Sequence, residues 1–403
     1  MNEVYQQAKL LQAELVKIRR EIHRNPEVGI QLQHTKSFVK DKLISYGYEP
    51  QDIANSSIAA TISGALPGKT ILLRADMDGL AIKEETALDF KSVNGAMHGC
   101  GHDMHTTMLL GAAKLLKKHQ NKLHGNVKLL FQENEEGFTG AKDVIRDGVL
   151  ENPKVDAAMA LHVTSGMPSN AVLCGLGHFM AGCTLFRIDV SGVGCHGAMP
   201  ENGVDPINIA THIYLSLQEI AAREVAAQDP CVLTIGKFVG GQTPNIIPEK
   251  AVLEGTIRYK NKETGDRIFE RIQEISNLCA QSFRGKAAVT EIASAPPLVN
   301  NDEMIYEFYD YIKQLVPPQQ VVILPQGGMG SEDFASFSYQ VPIAYLLLGA
   351  GTNQENKAYG KPMHNQGVVF NEDILSLGSS ILTVCAMNWL NKHRNDEGSR
   401  NLS

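Results

Sequence analysis

The apolar positions of this chain recur with two alternating periods. Residues 6–22 and 35–46 repeat them at helical spacing, and Ile71-Leu72-Leu73-Arg74 is a short, nearly continuous run of the kind a buried strand carries. Helical spacing returns at 104–119, followed by an apolar strand from Val127 to Phe131, a helix over 139–148 and another short apolar run from Ala157 to Leu161. After residue 300 the alternation resumes, with helices at 302–315 and 331–339, strands at 320–324 and 343–348, and a last helix near 372–391. Strands interleaved with helices in this way predict an α/β layer structure.

The middle of the chain has a different rhythm. Leu185–Val190 alternates as a strand, 206–225 is a long helix, 232–238 and 251–259 are strands, 264–283 is a helix and 287–292 a strand. That order, β-α-β-β-α-β, is the split βαβ of ferredoxin-like sandwiches. The expectation is one α/β domain, residues 1–183 and 294–395, interrupted by an α+β domain at 184–293. A tail at 396–403 follows, and Asn395–Ser403 reads as disordered.

Composition narrows the function classes. A chain of 403 residues that is 43% hydrophobic can build a large core and two domains. Its net charge of −7 and pI near 6.0 offer no basic field to nucleic acid. No apolar run approaches the roughly 20 residues of a bilayer span, which argues against a membrane. The start, Met1-Asn2-Glu3-Val4-Tyr5, carries an acidic residue and no apolar stretch, unlike a secretory signal. Seven cysteines, at 100, 174, 183, 195, 231, 279 and 385, are odd in number and scattered. They suit a reducing, cytoplasmic setting rather than a disulfide framework.

Cys100 stands apart by its neighbours. Met97-His98-Gly99-Cys100-Gly101-His102-Asp103-Met104-His105 gathers thiol, imidazole and carboxylate just before a helix, with glycines that allow the backbone to fold tightly. Thiolate and imidazole together suit zinc and similar ions, although His98 or His105 alone equally suits a helix cap or a surface position. Phe131-Gln132-Glu133-Asn134-Glu135-Glu136-Gly137 follows a buried strand, so one carboxylate can bind metal while its neighbour moves a proton. An acidic loop capping the next helix is the plain alternative. His162 ends an apolar strand and His364 lies between a strand and the last helix. Each is weak alone. Together, Cys100, His102, Glu136, His162 and His364 fall in loops, three of which follow buried strands, and open α/β sheets bind ligands beyond the carboxyl ends of their strands. Asp76 and Asp78, also after a strand, have the chemistry to orient ligating imidazoles.

These residues resemble the M20 metallopeptidases, and within them the branch of aminoacylases, hippurate hydrolases and auxin-conjugate hydrolases. The likeness runs from Ile22-His23-Arg24-Asn25-Pro26-Glu27 to His364. It rests on Ala75-Asp76-Met77-Asp78, the 97–105 cluster, Glu135-Glu136, Cys195-His196-Gly197-Ala198-Met199-Pro200, Asn245-Ile246-Ile247-Pro248, Gly255-Thr256-Ile257-Arg258 and Ser331-Glu332-Asp333-Phe334. The resemblance implies a metal-dependent exopeptidase-like α/β catalytic domain with an inserted ferredoxin-like lid through which the chain forms a homodimer or higher homo-oligomer. It implies two divalent ions (zinc, manganese, cobalt or nickel) on Cys100, His102, Glu136, His162 and His364. Glu135 would be the general base, supported by Asp78, and His196 would polarise the scissile carbonyl. Asn245 and Arg258 would meet the carboxylate end of a small N-acyl amino acid; Arg258 also suits an exposed sheet position.

Two departures mark this chain. Glu133-Asn134 stand where the family has Pro-Ala, placing polar groups near the base and the acyl pocket. Gly79-Leu80-Ala81 replaces the commoner Ala-Leu-Pro beside Asp78. The expected activity is hydrolysis of N-acyl-L-amino acids. A dipeptidase with the same metal chemistry and a non-catalytic metal- or ligand-binding protein are the alternatives, and the intact Glu135-Glu136 pair argues against the latter.

Overall fold

A computed structural model describes residues 3–394, so the expected tail at 396–403 lies outside the described residues. The described residues divide into two compact units, one made of residues 3–177, 299–327 and 336–394, the other of residues 178–298 and 328–335.

In chain order, unit 1 begins with α1 (Glu3–Arg24), α2 (Gln33–Ser45), β1 (Gln51–Ile53), β2 (Ser57–Ser63) and β3 (Leu66–Asp76). It continues with α3 (His102–Lys118), β4 (His124–Gln132), α4 (Gly140–Arg146), β5 (Ala157–Thr164) and β6 (Val172–Gly175). Unit 2 supplies β7 (His178–Met180), β8 (Gly182–Ser191), β9 (Cys195–His196), α5 (Pro206–Glu219), β10 (Cys231–Gly240), β11 (Ile246–Ile247), β12 (Lys250–Tyr259), α6 (Lys262–Ser282) and β13 (Lys286–Ala295). The chain then runs through β14 (Leu298–Val299), α7 (Asp302–Ile312), β15 (Val321–Leu324), β16 (Ile343–Gly349) and α8 (Leu375–Lys392).

The sheet of unit 1 has eight strands in the order β1-β2-β4-β3-β5-β16-β6-β15. Its centre, β4-β3-β5-β16, is parallel, which puts the carboxyl ends of these strands on one edge. The central strands are buried on both faces, hence their continuous apolar runs. Helices α1, α3 and α8 pack on one another, and α3 and α8 also on the sheet. Two glycines permit this: a Cβ on Gly111 of α3 would meet Ser379 Oγ at 2.2 Å, and one on Gly378 of α8 would meet Met108 Sδ at 1.8 Å. The segment Glu372–Lys392 is, contrary to the sequence expectation, long and apolar enough to cross a bilayer by length and composition. In this fold 83% of its most apolar window is buried, as a central core helix requires. At the start of α2, Glu27 accepts the N–H groups of His34 and Thr35 at 3.1 and 2.8 Å, satisfying donors the helix cannot pair itself.

Unit 2 carries a four-stranded antiparallel sheet, ordered β10-β12-β8-β13. Helices α5 and α6 pack on it and enclose a core of Phe186, Ile188, Leu253, Ile257, Ile213 and Ile272. Asp205 caps α5 ahead of Pro206, and Asn261 caps α6. The helix expected over 206–225 ends at Glu219 and continues as a π turn, Ile220–Glu224. The one expected over 331–339 is a 3₁₀ helix, Asp333–Tyr339.

Candidate metal centre

The five proposed donors come from four separated segments of unit 1 and meet at the carboxyl edge of its sheet. Cys100 Sγ lies 3.3 Å from His364 Nε2 and 3.6 Å from His162 Nε2. His364 Nε2 is also 3.2 Å from Glu136 Oε1, and His102 Nε2 is 3.8 Å from Glu135 Oε2. The donor atoms of Cys100, His102 and His162 all lie within 4.8 Å of one another, and so do those of Cys100, Glu136 and His364. The thiol belongs to both groups.

Local backbone explains the convergence. Gly101 adopts φ +84°, and a Cβ there would meet Val163 Cγ2 at 2.4 Å, so only glycine fits between Cys100 and His102. His102 is the first residue of α3 rather than a loop residue, and His162 lies inside β5, opposite Leu347 of β16, rather than after its end. His364 takes φ +63°, a conformation non-glycine residues rarely adopt, while its N–H donates to Gly99 O at 3.0 Å. That strained turn ties the last donor to the cysteine loop.

Asp78 organises the acidic side. Its Oδ1 accepts the Glu135 N–H at 3.1 Å and its Oδ2 the Glu136 N–H at 3.2 Å, while its backbone oxygen lies 2.8 Å from His102 Nδ1. His162 Nδ1 likewise faces the Val163 oxygen at 2.6 Å. A carbonyl only accepts, so Nδ1 is the donor in both rings and Nε2 is the atom left for a ligand. His102 Nε2 is buried and makes no hydrogen bond, and neither does buried Glu136 Oε1, despite its ion-pair distance to His364. Two buried polar atoms left so are costly unless a cation meets them, and thiolate, imidazole and carboxylate are the donor set of zinc and its neighbours. The residues fit divalent metal.

The electrostatics point the same way. The Cys100 thiol and the Glu136 carboxylate beside it push His364 up to about 10, and burial pushes the Cys100 thiol up. Burial opposes a charge on His102, but the Asp76 and Asp78 groups outweigh it and raise that imidazole well above its ordinary value. Burial, aided by His105, holds His162 well below its own. A cation bound at these nitrogens would compete with protons for them.

The remaining expected residues are placed as follows. His196, in β9, is exposed, and its Nδ1 accepts the Ala198 N–H at 3.1 Å, which leaves the ring proton on Nε2. Pairing of β9 with β11 brings it beside Asn245, also exposed, whose oxygen accepts the Gly197 N–H. Arg258 is half-buried rather than exposed, with Nη1 donating to Met329 O and Ser331 Oγ at 3.0 Å each. The Glu133-Asn134 departure is tied into local backbone and side-chain contacts. The Glu133 carboxylate is buried and accepts from Asn55 Nδ2 at 2.8 Å and from the N–H groups of Asn55 and Ser56, clamping the turn before β2. Asn134 donates to Thr139 Oγ1 at 2.6 Å from a left-handed conformation.

Five buried polar residues, Arg19, His23, Glu84, His98 and Asp103, stand outside the proposed donor set. Arg19 Nε and His23 Nδ1 meet Asp103 Oδ2 at 2.7 and 2.8 Å, and His23 Nε2 lies 3.2 Å from Glu84 Oε1, all buried. The signal was there: Arg19 and His23 occupy the apolar face of α1 with Leu15, Ile18 and Ile22. His98 is fully enclosed and its two ring nitrogens make no hydrogen bond, so burial lowers it to about 3.

The profile of Peptidase family M20/M25/M40 matches residues 72–387. The chain belongs to this family. It is 35% identical to an IAA-amino acid hydrolase ILR1-like 2 of Arabidopsis thaliana over 394 residues, 96% of this chain and 87% of that one. It is 34% identical to thermostable carboxypeptidase 1 of Saccharolobus solfataricus over 384 residues, 94% of this chain and 96% of that one. Among solved structures, a Bacillus subtilis protein described as a dinuclear metal binding peptidase from the M20 family superposes with a TM-score of 0.78 at 28% identity. That likeness covers 95% of this chain and 99% of the other. An α/β fold with a large sheet and a second, smaller unit is common ground for this M20 chain and its neighbours.

Proposed function

We propose that this M20 chain is a metal-dependent amidohydrolase that cleaves R–CO–NH–CHR′–COO⁻, an N-acyl-L-amino acid, into a carboxylic acid and a free amino acid. The observation that carries it is the thiol of Cys100 shared by two three-donor groups, with the Glu135 carboxylate 3.8 Å from His102 Nε2 beside them. Cys100, His102, Glu136, His162 and His364 would hold two divalent ions. Bound metal supplies Lewis acidity and lowers the pKa of water.

The chain's own residues do the rest. Asp78 holds the Glu135 and Glu136 backbones, so one carboxylate binds while the other stays beside the donors as a base. Glu135 takes the proton of the attacking water and delivers it to the departing amine nitrogen, so the carboxylate is regenerated when the C–N bond breaks. His196 presents an Nε2–H donor suited to the acyl oxygen as charge develops there. Asn245 and Arg258 would take the substrate carboxylate, Arg258 through the guanidinium nitrogens that Met329 and Ser331 do not occupy.

Unit 2 would serve as lid and as the homodimer contact. Its edge strand β10 exposes Val232, Phe238 and Val239, an apolar border that pairing with a second copy would cover. Free thiols at all seven cysteines suit the reducing cytoplasm. The carboxypeptidase relative supports a second reading, in which R is a peptide. Protein stripped of metal and reloaded with zinc, manganese, cobalt or nickel, then assayed on N-acetyl and N-benzoyl amino acids against dipeptides, separates the two. Bound metal with no hydrolysis of any amide in the panel would sink both.

A further inference from the structure

His105 is buried, lies one turn into α3, and has no part in the proton transfer proposed above. Its Nδ1 is 2.6 Å from Asp76 Oδ1, and its Nε2 accepts the Val163 N–H at 2.9 Å. A backbone N–H can only donate, so the imidazole lone pair sits on Nε2 and the ring proton on Nδ1, where the carboxylate receives it. Asp76 is fixed in turn. Arg74 Nη1 donates to its Oδ2 at 2.5 Å, Arg74 Nε donates to Gln132 Oε1 at 3.0 Å, and Thr106 Oγ1 donates to the Asp76 backbone oxygen at 2.8 Å. A buried chain of polar contacts thus runs from the end of β4 through β3 and α3 into β5.

Its terminus is telling. The β3–β5 ladder ends where Arg74 faces Ala160, and three residues further along β5 the Val163 N–H goes to His105 instead. Val163 is held at both of its backbone groups, the N–H by His105 and the carbonyl by His162 Nδ1 at 2.6 Å. Its side chain also packs against Gly101, between Cys100 and His102. The rings of His105 and His162 stand 4.3 Å apart between centroids. A shift of Val163 would turn the His162 ring and move it relative to the thiol.

We propose that His105, oriented by Asp76, is a positioning residue that anchors Val163 and thereby aims His162 Nε2 at the Cys100 side of the metal centre. The proposal rests on the metal-binding reading above and is independent of the substrate. It assigns His105 an effect on cation affinity, not on proton transfer.

Two substitutions separate its two contacts. His105→Asn keeps a donor near Asp76 and removes the acceptor for Val163, whereas His105→Gln places an amide oxygen where Nε2 stood. Titration with Zn²⁺ alone against a competing chelator should show roughly 10- to 100-fold weaker binding in His105→Asn, the usual cost of losing a group that orients a ligand. His105→Gln should recover most of it. In wild-type protein with ¹⁵N-labelled histidine, His105 should show its proton on Nδ1, and the Val163 amide should exchange slowly. A proton on Nε2, wild-type affinity in His105→Asn, or equal losses in both variants would overturn the assignment. The tautomer measurement decides the matter if His105→Asn does not fold. Metal bound at full affinity without amide hydrolysis would defeat the proposed function and leave this inference standing.

Discussion

The carboxyl edge of the unit 1 sheet and the β9–β11 corner of unit 2 both present histidine beside polar side chains, but they fix them by opposite means. At the sheet edge several buried polar groups are each held by another: Asp78 by two backbone N–H groups, His162 by Val163, Asp103 by Arg19 and His23. In unit 2 a two-residue strand pair sets the backbone, while the side chains of His196 and Asn245 extend into solvent. The first region has its geometry before any ligand arrives, at the cost of burying charge. The second has donors whose positions only a bound partner would fix. Preorganisation would suit the proposed cation and base; adaptability would suit a residue that acts only when substrate is present.

The comparison can be broken in order of effect. Glu135→Gln should lower kcat by about 10³- to 10⁴-fold, the upper range for general acid–base catalysis, while metal content stays at the wild-type level. Loss of metal in that variant would move Glu135 from base to ligand. His196→Ala should cost about 10²- to 10³-fold in kcat with metal content and thermal midpoint unchanged, because an exposed side chain contributes to neither. A lowered metal affinity there would abolish the distinction between the two regions. Asp78→Asn places a donor against the N–H of Glu135 or Glu136 and should weaken metal binding by roughly 10- to 100-fold, measurable by chelator competition.

The smallest effect is a pH dependence. Burial and the Arg19 guanidinium pull the His23 imidazole down, but Asp103 and Glu84 outweigh them and raise it above its ordinary value. A raised histidine contributes stability that is complete below the unfolded value of about 6.5 and is lost as pH rises through the folded one. His23→Gln should therefore cost more stability at pH 6 than at pH 9 when compared by urea unfolding. A cost that grows with pH would mean the ring is buried uncharged.

The long elements were legible because their periodicity and their burial coincide: α1, α3, β3, β5 and the whole β8-α5-β10-β12-α6-β13 order follow the apolar pattern. What escaped was short or edge-like. Strands β1, β2 and β6 are three, seven and four residues long, and β2 mixes Ser57, Thr61 and Ser63 with its apolar positions. Such strands are defined by their neighbours, not by their own sequence. The proposed donors were legible as residue types near strand ends and a helix start, yet their supports were not. Glu133 illustrates why. Two positions before the base in sequence, it points to Asn55 and Ser56, because Asn134 between them takes a left-handed φ of +53° that breaks the strand's alternation. Arg19 and Asp103 are 84 positions apart, a distance no local pattern spans.

That separation is larger still for Cys100 and His364, 264 positions apart, and it governs the order in which the molecule can be assembled. β5 is synthesised well before its parallel neighbour β16, and all of residues 178–298 must be translated in between. At about 5–20 residues per second, the ribosome takes on the order of ten seconds or more to bridge that interval. The inserted unit has time to fold while the sheet that brackets it still shows an open edge. A nascent chain short of His364 can hold some of the donors but never both groups, so capture of a second cation would report that the last segment of unit 1 has joined its sheet.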